Sequence, residues 1–324
     1  MTSASPGKLF TPVTLGAFAL SHRVVMPAMN CGQATDAGVP TESMVLHYGS
    51  RASKGGLIIC EACAVSARMR GRGMAGLHTA EQVNHWQQVT RAVHARGGIV
   101  LAQLDHGSHW ADLPADAATE IDDDALEAAL IDYRNAAEHA GDAGFDGVEL
   151  HAAHGALPER LMQEYLESVS SHRDDADQAH TDQAHTDQSR ISRYAGEFLD
   201  AVTGTLANIW GADRVGVCLS PPMQDDDDAD WIAAYAQLTR TLHDNAFAFV
   251  HIADTCQPID DLNGTWQRTS RLLRSACPTG LIVSGGFARS DAIATVDDGA
   301  ADAVAFGRAF IANPDLLDRL KHAG

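Results

Sequence analysis

Two histidines three residues apart, His151 and His154, stand in "HAAHGALPER" directly after an apolar run, Gly144 to Leu150, that reads as a buried strand. A strand sends residues three apart to opposite faces, so both imidazoles can serve one site only if the chain turns between them. A strand end of that kind faces a ligand. No carboxylate or thiolate lies at a spacing that would complete a coordination sphere around the pair, so a ligand oxygen is expected there and a metal is not. Two further groups could do chemistry. Gln103, in "LAQLDHGSH", precedes His106 and would project from a strand end, although an amide satisfied inside the core would look the same. Gly285 and Gly286 in "IVSGGF", with Gly307 and Arg308 in "AFGRAF", leave backbone N–H groups bare beside a guanidinium, which is how a phosphate is held; tight turns alone would also use such glycines.

These residues need elements to hold them. Eight short, nearly continuous apolar runs read as strands buried on both faces: Val24–Met29, Leu57–Val65, Ile99–Leu104, Gly147–His151, Val215–Leu219, Phe247–Ile252, Leu281–Ser284 and Ala303–Phe306. Helical patterns alternate with them. Thr79 and Gln82 form a capping box before Val83, Trp86, Val89 and Val93, and Ile191, Tyr194, Phe198, Val202, Leu206 and Ile209 share a later helical face. Eight strands with about eight helices predict an α/β fold, a (β/α)8 TIM barrel forming a single domain over residues 1–324, rather than a doubly wound sheet. In such barrels the active site lies at the C-terminal ends of the strands, where the histidine pair falls after the fourth.

The chain has 324 residues, 45% of them hydrophobic, and no run approaching the roughly 20 apolar residues of a membrane span. Its opening, "MTSASPGKLF", has no apolar core of a signal peptide, so a cytoplasmic location is expected. A net charge of −20 repels a phosphate backbone, which makes nucleic acid a poor partner. Cys60 and Cys63 form a C-x-x-C within a strand that should send them to opposite faces, so no metal or redox pair is expected of them. The acidic run from Asp225 to Trp231 reads as a solvated loop. The pentad AHTDQ, repeated in tandem between Ala179 and Gln188, predicts a flexible loop at residues 172–189, with His180 and His185 solvated.

Taken together, "LFTPVTLGAFALSHRVVMPAMN", "GGLIICEACAVSARMRGRG", "LAQLDHG", "AGFDGVELHAAHG", "RVGVCLSP", "SGGF" and "AFGRAFIANPDLLDRL" resemble the old yellow enzyme family of FMN-dependent oxidoreductases, in that family's order and over nearly the whole chain. The resemblance implies FMN as cofactor and NADH or NADPH as electron donor. Pro27, Ala28, Met29 and Asn30 would lie against the flavin, with Ala62 and Gln103 at its polar edge. Gly285, Gly286, Gly307 and Arg308 would hold its phosphate. His151 and His154 match the histidine pair that hydrogen-bonds a substrate's carbonyl or nitro oxygen. The partner expected is a small-molecule substrate, an unsaturated or cyclic carbonyl compound, with homo-oligomer formation left open.

Departures from the family pattern cluster at the substrate end. Where the family usually carries Gly-Tyr, the tyrosine giving a proton to the α-carbon, Gly155 is followed by Ala156. Cys218 takes the place of an arginine near flavin N1, Asn30 a place commonly held by Thr or Cys, and the segment after the third strand is short. The substitutes weighed for the proton are water, His106, Tyr165 and Cys31. The other readings are a desaturase or isomerase, a non-catalytic flavin-binding barrel, and a flavin-independent isomerase or aldolase acting on a phosphorylated ligand. No lysine sits on a predicted strand, which argues against a Schiff base.

Overall fold

The computed structural model describes residues 7–69, 71–107, 123–163, 197–220, 229–253 and 272–322. The 172–189 loop with His180 and His185, Tyr165, Ile191 and Tyr194 lie outside the described residues, as does the acidic run up to residue 228. A short antiparallel hairpin, β1 (Val13–Leu15) and β2 (Phe18–Leu20), precedes eight parallel strands. These are β3 (Val24–Met26), β4 (Leu57–Ala64), β5 (Ile99–Asp105), β6 (Gly147–Ala152), β7 (Val215–Leu219), β8 (Phe249–Ile252), β9 (Leu281–Ser284) and β10 (Ala303–Ala305). They close into a barrel in which β10 pairs with β3, so the predicted TIM barrel is the fold.

The strand ends differ in instructive ways. β3 stops at Met26 because Pro27 has no N–H to continue the ladder. β6 runs one residue further than expected, carrying His151 inside the strand. Cys60 and Cys63 do not diverge: the register shifts between Ile59 and Ala62, and both thiols, free and buried, join the core outside the barrel. A bulge resets the alternation that the sequence reading assumed.

Inside the barrel an apolar floor lies under a polar layer. Leu15, Phe18 and Leu20 of the hairpin cluster with Val25, Leu57, Ile59, Leu101, Phe249, Ile282 and Ala303. Two glycines make room for the rings: a Cβ at Gly147 would stand 2.7 Å from Phe18, and one at Gly216 would stand 2.2 Å from Phe249. A side chain at Gly216 would force the Phe249 ring out of place, and one at Gly147 would also meet the Arg214 carbonyl. Around the barrel, α1 (Glu42–Arg51), α2 (Ala80–His94) and α3 (Asp123–Asp142) cover the first strands. The capping box at Thr79 and Gln82 is present, with each partner satisfying a backbone N–H of the other. Among the described residues no helix is long and apolar enough to cross a membrane.

Candidate active site

The polar layer follows from register. Parallel neighbours face the same side, and Gln103 is in register with Glu149, while His151, Cys218 and His251 are in register across β6, β7 and β8. After His151 the chain turns at Ala153, and His154 takes a left-handed backbone, φ 56°. Such a backbone is unfavourable for a residue with a Cβ and persists only where its surroundings hold it. Here it brings His154 Nδ1 to 3.2 Å from His151 Nε2, so the two imidazoles do serve one site. His151 is buried and His154 exposed.

Behind the pair stands a carboxylate. His151 Nδ1–H donates to Asp105 Oδ1 at 2.8 Å, and Asp105 is fully buried. That bond fixes the imidazole's rotation and leaves Nε2 facing His154. The turn is pinned from below: the His154 N–H donates to Ser220 Oγ at 3.1 Å, the Ser220 hydroxyl donates to Glu159, and Glu159 also accepts from the Gly155 N–H. Burial raises Glu159 above the usual carboxylate range, with those two hydrogen bonds and the nearby His151 acting in the opposite direction. Ala156 is wholly buried and has no polar atom to offer the site.

One layer lower, Gln103 Nε2–H donates to Glu149 Oε1 at 2.7 Å and His251 Nδ1–H donates to Glu149 Oε2 at 3.1 Å. Glu149, Cys218 and His251 bring a carboxylate, a thiol and an imidazole within 4.8 Å of one another, all buried. Both Glu149 oxygens are already hydrogen-bonded, one to Gln103 and one to His251, while His251 Nε2 is buried without a hydrogen-bond partner among the described residues. Burial first, and the Glu149 and Glu159 carboxylates second, push the Cys218 thiol well up, which keeps it protonated.

On the opposite rim the geometry is carried by backbone. Gly286 has φ 68°, a conformation that side chains rarely adopt, and Gly285 precedes it at the end of β9. Gly307, after β10, lies under Met29: a Cβ there would approach Met29 Sδ to 3.2 Å. Arg308 is exposed, and among the described residues no carboxylate pairs with its guanidinium. Pro27 is buried, Ala28, Met29 and Ala62 are half-buried, and Asn30 is exposed, its Oδ1 accepting from the Gly32 N–H at 2.8 Å. Ala62 is in register with Gln103, which puts it on the same inner layer.

The substitutes weighed for the proton fare differently. His106 is buried and stacked on Tyr133 with centroids 5.9 Å apart, and burial lowers its pKa, so it is held neutral. Cys31 is pushed up to about 11, by burial first and by the Glu61 carboxylate second. Its backbone N–H donates to Glu61 Oε2 at 2.7 Å, and burial pushes Glu61 up to about 7. The sequence reading missed Asp105, Glu149, His251 and Glu159. Period-two alternation held the signal for two of them: Asp105 lies two residues after Gln103, and Glu149 two before His151, so each faces the side of a residue already singled out.

Comparison with known proteins agrees with this architecture. The family model described as NADH:flavin oxidoreductase / NADH oxidase family matches residues 8–130 and 111–323. "Flavin oxidoreductase hxnT" of Emericella nidulans is 33% identical over 377 residues, covering 99% of this chain and 92% of that protein. "12-oxophytodienoate reductase-like protein" of Solanum lycopersicum is 31% identical, covering 98% of this chain and 90% of that protein. A solved structure of morphinone reductase in complex with tetrahydroNAD superposes with a TM-score of 0.76 at 31% identity, covering 98% of this chain and 91% of that one. The chain belongs to the NADH:flavin oxidoreductase / NADH oxidase family and is an FMN-dependent oxidoreductase of the old yellow enzyme type.

Proposed function

We propose that this chain, acting as one barrel domain, passes reducing equivalents from NADH or NADPH through FMN to an unsaturated or cyclic carbonyl compound. The observation that carries the substrate class is the 3.2 Å approach of His151 Nε2 and His154 Nδ1 at the end of β6, backed by a buried carboxylate. Two imidazole nitrogens converging at a barrel mouth suit one oxygen atom on which negative charge develops.

The residues present fit FMN. Arg308, exposed and without a carboxylate partner among the described residues, follows Gly307 after β10, the strand paired with β9, and Gly286 lies just after β9. A positive φ at Gly286 and the nearness of Met29 to Gly307 both disfavour a side chain. Those groups supply a cation and bare amides for the phosphate. In this reading Pro27, Ala28, Met29 and Asn30, which follow β3, and Ala62 and Gln103, in register on β4 and β5, would contact the flavin. When bound, FMN supplies hydride transfer. The chain's own contribution is to hold the acceptor's oxygen against His151 and His154 and to give no proton from position 156. The test is the purified protein itself. It should be yellow, lose that colour on anaerobic addition of NADH or NADPH, and regain it on addition of cyclohexenone. Protein that binds no FMN, or reduced protein that no enone reoxidises, would contradict the reading.

A further inference from the structure

The arrangement behind His151 says how this site manages without a proton donor at position 156. We propose that Asp105 and His151 act as a dyad that protonates the substrate's oxygen, so that the α-carbon takes its hydrogen afterwards from water. This rests on the carbonyl reading above.

Asp105 is fully buried on β5, 46 residues from His151, and its Oδ1 accepts from His151 Nδ1–H at 2.8 Å. A carboxylate in that position stabilises the imidazole when it carries a second proton, and keeps the Nδ1 proton from being the one released. Nε2 then holds the transferable proton. It faces His154 Nδ1 at 3.2 Å, and His154 is exposed, so the pair leads from solvent to a buried donor. Among the described residues, the other ionisable groups around His151 do not offer the same service. Glu159 is committed to Ser220 and the Gly155 N–H, His106 is held neutral by burial, and the Cys218 thiol is pushed well up.

The step balances. A hydride, two electrons and a proton, adds to the β-carbon. The alkene pair moves to lie between the α-carbon and the carbonyl carbon, and the carbonyl π pair takes the proton from His151 Nε2, giving an enol. In water the enol loses its O–H proton and gains one at the α-carbon, and His151 regains its proton from solvent through His154. Reduced nicotinamide is the reductant. His151 is the catalytic residue and Asp105 a positioning residue.

The experiment is reduction of 2-methylcyclohexenone by the FMN-loaded wild type, with the product's enantiomers separated early in the reaction. Protonation of a released enol by water favours neither face, so equal amounts of the two enantiomers are expected; one enantiomer in clear excess would overturn the proposal while leaving the enone reading intact. No reduction of any enone would instead sink that reading. A second measurement isolates Asp105. Asp105→Asn should lower kcat for the enone by about 10²–10⁴-fold, the range of general-acid assistance, with KM little changed and with Asp105→Glu recovering part of the loss. Reoxidation of the reduced Asp105→Asn protein by dioxygen, which needs no proton from the dyad, should match wild type. A raised KM with kcat unchanged would mean that Asp105 only orients the ring, and would overturn the dyad.

Discussion

The two rims of the barrel mouth are built on different principles. At the ends of β9 and β10 the site is backbone: Gly285 and Gly286, Gly307 under Met29, and one exposed guanidinium, Arg308. At the ends of β5, β6 and β7 it is a network of side chains, Asp105 to His151 to His154 and Ser220 to Glu159, nearly all buried. A backbone cradle suits a constant ligand such as a phosphate, since it depends only on conformation. A side-chain network positions protons, and one substitution in it changes the chemistry without changing the fold. Ala156 and Asp105 both lie on that second rim.

If the rims are separable in this way, substitutions should separate them too. The largest effect is expected from removing both features of the backbone rim. If Arg308 holds the phosphate as proposed, Arg308→Ala alone should forfeit a charge-assisted contact worth about 1.5–3 kcal/mol, or roughly 10–150-fold in FMN affinity. Adding Gly286→Val, which forces a β-branched residue into φ 68°, should lower affinity further. Equilibrium titration with FMN checks both, and unchanged affinity in the double variant would remove the phosphate assignment. A smaller effect is expected of His154→Ala. A hydrogen bond to the substrate is lost, so KM for cyclohexenone should rise by about 2–10-fold, with solvent reaching His151 directly in place of the relay and FMN affinity remaining that of wild type. A parallel loss of FMN would show that the rims are not independent.

The smallest effect concerns Glu61 on β4, with one oxygen on the Cys31 N–H and the other buried without a partner among the described residues. Burial places it at about 7 in the fold against an ordinary value of 4.5. Because the folded protein holds this proton more tightly than the unfolded chain, stability falls as pH rises through the window between those two values. Glu61→Gln keeps an acceptor for Cys31 and has no charge to desolvate. Its thermal midpoint should therefore exceed that of wild type by a few degrees at pH 8 and equal it near pH 4, measured by thermal scans.

How much of this was legible in the sequence divides along the same line. The eight strands were visible because strands buried on both faces are continuous apolar runs, and the capping box because Thr79 and Gln82 are local neighbours. The glycines announced the backbone rim, since only a glycine is at ease at φ 68°. Asp105 and His251 were hidden because their partners lie 46 residues away on the neighbouring strand and 102 residues away across an intervening strand, and only the folded barrel sets that register. The hairpin that plugs the floor escaped notice for a different reason. Its strands have three residues each, too short for a pattern to show. The bulge in β4 defeated strict alternation at Cys60 and Cys63, and no residue type marks it beforehand.

The most direct measurement of the central claim is the oxidative half-reaction of wild type and His151→Ala, each loaded with FMN, reduced anaerobically with NADH and mixed with cyclohexenone. His151→Ala should bind FMN and accept electrons from NADH as wild type does, yet return them to the enone about 10²–10⁴-fold more slowly. Equal rates of reoxidation in the two proteins would contradict the account, because the histidine rim would then have no part in the chemistry.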